Sequence, residues 1–227
     1  MEDKRKTQEL FNDLINKSNL KQEVYQKTLD TFEMLKAGME DLVAKFEAQN
    51  SGKAKNTPFK FKDRGAFEAE MKFGGDTLVF MMHTNVFEFP RMHEVMKTPY
   101  IKEDPSRSYC GIINIFNFLS DSFKYNRVND MGYLIGRVFI NKEMHYFIEG
   151  KREIGFLYKS FGNSVMDREV ACDILESAIK YTINFDLLTP AYDNLKEVTV
   201  HEFISALDSM RIQTGKRLGF KFQADYD

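Results

Sequence analysis

The chain has no tryptophan, two cysteines and five prolines in 227 residues, and no apolar run of membrane-spanning length. Each shortage excludes something. Cys110 and Cys172 stand 62 positions apart with no Cys-x-x-Cys pair, so neither a disulfide framework nor a cysteine-based zinc site is offered. The longest apolar stretch, Cys110 to Leu119, is ten residues long and is interrupted by Asn114 and Asn117, whereas a spanning helix needs about 20 apolar residues. The opening residues Met1-Glu2-Asp3-Lys4-Arg5-Lys6 run into a charged helical pattern with no apolar leader, so the expected location is cytoplasmic, with no membrane partner. Charge of one sign is also missing: 32 basic and 34 acidic side chains leave a net charge of −2, which argues against a general polyanion binder.

Motifs for common chemistries are absent too. Around Gly215-Lys216 a phosphate-binding loop would need glycine at Met210 and a hydroxyl at Arg217, so both the backbone nest and the magnesium ligand are missing. Gly132 and Gly136 do not form a dinucleotide fingerprint, and there is no Gly-x-Ser-x-Gly elbow. His93-Glu94 and His201-Glu202 each begin a zinc-peptidase motif, but the second histidine is replaced by Lys97 and Ser205, which removes the ligand one helical turn away. His83, Glu88, His93, His145, Glu149 and His201 would form a metal site only by converging in three dimensions, and no metal or cofactor is expected.

Phenylalanine is abundant. Of 21 in the chain, 18 lie at or after Phe59, placing an aromatic core in the later part, where it would fill a sheet-on-helix interior or enclose a small molecule. Residues 1–50 read as a helical arm. Asn19 with Gln22 has the spacing of a helix start, which predicts a short helix near 4–16 and a long one near 20–48. In the second, Phe32, Leu35, Met39, Leu42 and Phe46 step by 3, 4, 3 and 4, a heptad seam. A helix of that span reaches roughly 43 Å, too long to bury its whole stripe on one small domain, so a second copy or another protein is expected to pack on residues 20–48.

Residues 51–64 form a basic linker, with Lys53, Lys55, Lys60, Lys62 and Arg64 against Asp63 alone. Lys60 and Lys62 alternate with Phe59 and Phe61, an arrangement that makes these five basic residues candidate nucleic-acid contacts. The balanced net charge favours an ordinary solvated loop, and nucleic acid is not the expected partner. From residue 65 to the end the pattern becomes α+β. Phe67, Ala69, Met71 and Phe73 alternate with polar residues, Gly74-Gly75 supplies a hairpin turn, and pairing residue i with 149 − i places seven apolar residues of eight on one face. The parity breaks at His83-Thr84-Asn85. Tyr109 to Phe118 reads as a central strand. A turn at Asn141-Lys142 pairs i with 283 − i, putting Arg137 on the face of Met144, Tyr146 and Ile148, with His145 and Glu149 on the other. Ile154 to Tyr158 extends this meander. Ser164 with Asp167 opens a helix near 165–181, Thr199 with Glu202 opens another carrying Phe203, Leu207 and Met210, and 218–222 adds an edge strand.

The fold class expected is thus α+β: a mostly antiparallel sheet of five to seven strands, covered by C-terminal helices and preceded by the helical arm. Function is less defined. The leading expectation is a non-catalytic binding or scaffolding module, dimeric through its arm. Arg137 on an apolar face is the candidate ligand contact, since a buried guanidinium needs either a carboxylate or a bound anion. The alternative is an enzyme acting on a small anionic substrate held by Arg137, with His145 and Glu149 as the candidate catalytic acid and base.

Overall fold

The structure is a computed structural model that describes residues 2–50, 57–128, 130–151, 154, 161–185, 191–194, 196–201 and 203–204. Helix α1 runs unbroken over Glu2–Asn50, a rod of about 73 Å at 1.5 Å per residue. The two helices expected here are one. Asn19 does not start a helix, because no proline or glycine precedes Gly38, and an isolated Ser18-Asn19 pair lowers propensity without breaking the ladder.

Strands β1 (Phe59–Asp63), β2 (Glu68–Phe73), β3 (Asp76–Met82), β4 (Phe87–Glu88), β5 (Tyr109–Leu119), β6 (Tyr133–Asn141) and β7 (Tyr146–Gly150) form one sheet. Its order is β1-β2-β3-β5-β6-β7, with β4 also paired to β5, and every pairing is antiparallel. The β2–β3 register runs from Glu68 opposite Met81 to Phe73 opposite Asp76, the pairing derived from the alternation, with Gly74 at φ +54° in the turn. That angle suits glycine because no Cβ meets the carbonyl.

One face of the sheet carries the main core. Phe80, Met71, Leu78, Ile113, Ile115 and Val138 are fully buried there against Phe32, Leu35 and Met39 of α1. The second cover is α3 (Arg168–Ile183), which buries Ala171, Ile174, Leu175 and Ala178. Its N-cap is Asp167, whose side chain accepts from the Val170 N–H at 2.8 Å, so the helix starts later than a Ser164 cap implies. The α1 seam is therefore seated inside the protomer: Leu42 packs at the edge of the core, and Phe46 meets Phe59 of β1 at a ring distance of 5.1 Å. At Gly111 a Cβ would lie 2.0 Å from Thr28 Oγ1, so only glycine lets α1 approach β5 this closely.

The β6–β7 register differs from the simple two-residue turn by three residues, with Ile140 opposite Tyr146 and Arg137 opposite Glu149. Asn141 causes the difference: its Oδ1 accepts the N–H groups of Glu143 and His145, both at 3.0 Å. Met144 turns into the left-handed region at φ 61°, lengthening the loop. Among later segments, residues 200, 201, 203 and 204 are helical, and the Phe203 N–H donates to the Thr199 carbonyl at 2.9 Å. Glu202, Leu207, Met210, the strand beyond Ile154 and the 218–222 strand lie outside the described residues.

The N-terminal part of α1 leaves Leu10, Phe11, Leu14 and Ile15 at least half exposed. Leu35→Ala should cost about 2–5 kcal/mol of stability through cavity formation, and Leu14→Ala less than about 0.5 kcal/mol, as an exposed side chain does. Chemical denaturation of both variants checks the contrast; equal losses would show that the N-terminal stripe is covered in solution.

Candidate ligand pocket

Among the described residues, the segment that follows β3 covers one end of the other face of the sheet. Pro90 and Pro99 punctuate it into β4, a 3-10 turn at Glu94–Lys97, helix α2 (Pro99–Glu103) and a second 3-10 turn at Pro105–Ser108. Phe89, Val95 and Ile101 from this segment bury themselves with Cys110, Phe139 and Phe161, making a second apolar cluster distinct from the main core. Residues directly opposite one another across strands share a face, so the registers map this surface row by row. Ile112 lies opposite Phe139 and Phe139 opposite Phe147; the next row is Asn114, Arg137 and Glu149; Phe87 lies opposite Cys110.

Between segment and sheet sits a pocket of ≈ 320 Å³. Ile112, Cys110 and Phe139 form its floor, Phe87, Phe89 and Pro90 its wall, and His93, Arg137 and Glu149 its polar side. That volume lies at the small end of the range for ligand sites. Glu88 borders the pocket as well, but it pairs with Tyr109 on the α1 face, where its Oε2 accepts the Tyr109 hydroxyl at 2.6 Å. Lys17 of α1 donates to the same hydroxyl and lies 3.8 Å from the ring centre. Burial pushes the Cys110 thiol well above its ordinary range, so this floor residue is neutral and unreactive.

The polar side is a connected chain. Arg137 Nη2 donates to Glu149 Oε2, and His93 Nε2 lies 3.3 Å from Glu149 Oε1. His93 caps the Glu94–Lys97 turn, its Nδ1 accepting the Val95 N–H at 3.2 Å. An acceptor at Nδ1 assigns the proton of the neutral ring to Nε2, which therefore donates to Glu149. Stacking on Phe89, with ring centres 4.8 Å apart and 30° between planes, fixes the imidazole further. Both nitrogens are engaged, leaving neither free to remove a substrate proton.

The structure brings Arg137 and Glu149 together, because the three-residue register difference moves them to one face. It does not bring His145 to them. His145 Nδ1–H donates to the Phe161 carbonyl at 3.0 Å, and its ring stacks on Tyr100 at 4.9 Å. It stands four residues before Glu149 along an extended chain, roughly 13 Å. Lys60 and Lys62 are exposed on edge strand β1, Arg64 pairs with Glu70 at 2.8 Å, and Lys53 and Lys55 lie outside the described residues. Sequence reasoning missed His93 as a pocket residue, seeing it as the start of an incomplete zinc motif and as one of six scattered ligand-type side chains. Histidine is not among the side chains that favour a helix cap, so nothing in the local sequence around His93 signalled the pocket. Among the described residues no three His, Cys, Asp or Glu side chains are grouped to hold a metal ion, and no helix is long and apolar enough to cross a membrane.

A polar network fastens the covering segment to the sheet. Tyr100 donates to Glu143 Oε2 and accepts from Asn141 Nδ2, both at 2.8 Å, and Arg107 bonds Glu143 Oε1 at 3.0 Å. Asp104 caps the Pro105–Ser108 turn through the Ser106 N–H and bonds Lys142 Nζ at 2.6 Å. The Lys142 hydrogen bond, helped by Ser106, pulls the Asp104 carboxyl down to about 2. A carboxyl lowered on folding stabilises the fold above its ordinary value of 3.8 and loses that effect as pH falls through about 2. Asp104→Ala should therefore cost about 1 kcal/mol at neutral pH, the usual worth of a cap, and the gap from wild type should shrink between about pH 4 and pH 2. Urea melts across that window test it; a pH-independent gap would place the effect in packing.

No protein-family model, curated protein or solved structure matches this chain.

Proposed function

We propose that the protein is a binding module that takes a small, largely apolar ligand in the pocket between the 87–108 segment and the outer face of β5 and β6. The observation that carries this reading is the pocket's construction: aromatic and aliphatic walls around ≈ 320 Å³, with His93, Arg137 and Glu149 grouped along one side. Ligand sites are commonly built this way. A binding role fits better than acid–base catalysis, because His93 and Glu149 spend their hydrogen bonds on holding neighbours. Self-association through α1 belongs to the same reading, with Leu10, Phe11, Leu14 and Ile15 available to a second copy.

An uncharged naphthylamine dye tests the pocket, since its fluorescence rises in apolar surroundings. The expected result is saturable one-to-one binding that weakens about tenfold in Phe87→Ala, the loss of one aromatic wall. Phe87 is 37% exposed, so the variant should fold. Absence of saturable binding, or binding indifferent to Phe87→Ala, would overturn the reading.

A further inference from the structure

We infer, resting on the ligand-pocket reading, that the pocket selects a small monoanion, a carboxylate on a compact apolar body, and that His93 is the positioning residue that sets the receiving arginine. The charged side chains on the pocket's polar side are one guanidinium, Arg137, and one carboxylate, Glu149, with the His93 imidazole beside them. The Glu88 carboxylate is turned to the opposite face and bonded to Tyr109, and the Cys110 thiol is neutral. An entering acid group thus meets a cation with no second carboxylate behind it.

The valences favour an anion as well. Glu149 has one oxygen on Arg137 and the other on His93, so a cationic ligand would have to compete with both. Arg137 has five N–H donors in a rigid fork. Nη2 is committed to Glu149, and among the described residues no protein acceptor is bonded to Nε or Nη1. The Arg137 side chain is 42% exposed and its guanidinium lies 5.4 Å from the Phe139 ring centre, between the apolar floor and the solvent. A ligand whose apolar body rests on Phe139 and Ile112 would present its carboxylate at that fork.

Orientation comes from the relay behind it. The Val95 N–H fixes His93 through Nδ1, His93 Nε2–H fixes Glu149, and Glu149 fixes Arg137. His93 is held by a turn N-terminus and by stacking on Phe89, so the guanidinium is pre-set before any ligand arrives. Pre-setting a flexible arginine reduces the ordering cost of binding.

Displacement of the naphthylamine dye by three near-isosteres, benzoate, benzamide and benzylamine, tests this in wild type, Arg137→Gln, His93→Phe and His93→Gln. Wild type should prefer benzoate over benzamide by about tenfold or more, as a charge-assisted hydrogen bond in place of a neutral one provides, with benzylamine weakest. In Arg137→Gln the benzoate-to-benzamide ratio should fall to about one while dye binding persists. His93→Phe keeps the stacked ring but removes both hydrogen bonds, and the ratio should drop at least threefold; His93→Gln, which can accept and donate, should restore most of it. A merely structural role for His93 would weaken all probes alike and leave the ratio unchanged, overturning its assignment. Equal displacement by benzoate and benzamide in wild type, or preference for benzylamine, would overturn the anion selectivity and leave the pocket standing. Failure of the dye to bind at all would overturn the pocket reading itself.

Discussion

The seating of α1 on one face of the sheet is the constraint from which the remaining architecture follows. Val24, Phe32, Leu35 and Met39 are fully buried in that contact, and the close approach at Gly111 allows no side chain there. Thr28 and Thr31, also buried, satisfy their hydroxyls on the Val24 and Lys27 carbonyls of the same helix, so the interface carries polar groups without orphaning them. Lys36 extends it, reaching the Gly65 carbonyl at 2.7 Å and Asp63 at 3.2 Å and so tying α1 to the β1–β2 connection. With α3 beside it, α1 covers the core face of the sheet.

The opposite face is consequently available, and one excursion from the strand order uses it. After the short β4 pairing, the segment from Phe89 to Ser108 leaves the sheet, folds back over β5 and β6, and builds a second apolar cluster with the network of Tyr100, Asp104, Arg107, Asn141, Lys142 and Glu143 as its fastening. A cluster of aromatic rings closed by short turns leaves the pocket at its margin. Hydrogen bonds link α1 to the pocket border, from Lys17 to the Tyr109 hydroxyl and from Tyr109 to Glu88.

Much of this fold was legible in the sequence. The β2–β3 register followed from the parity of Phe67 to Phe73 and a Gly-Gly turn, since a one-residue slip would have exposed the whole apolar set. The break after Met82 and the central strand at 109–118 were readable for the same reason. The heptad spacing of Phe32 to Phe46 was real, but a 3-4 stripe serves a helix resting on a sheet as well as one facing another helix, and spacing alone does not name the partner. The β6–β7 register was not legible. It depends on Asn141 bonding two N–H groups in its own loop and on Met144 adopting a positive φ, and neither is encoded in an apolar pattern. That odd-numbered difference is what brings Arg137 opposite Glu149. The site was accordingly half visible: Arg137 stood out as a charge on an apolar strand, Glu149 was noticed beside the wrong histidine, and His93 arrives from 44 residues away through a turn that covers the sheet.

The central claim is that a small molecule occupies the space between the 87–108 segment and the outer sheet face. Its most direct measurement is the map of backbone amide and methyl NMR shifts as benzoate is titrated into the intact protein. The account predicts saturable shifts centred on Ile112, Phe89, His93 and Arg137, with the buried residues of the α1 face, Leu35 and Ile113 among them, unmoved. Shifts centred on the α1 face or along the basic edge strand, or no saturable shift at all, would contradict it.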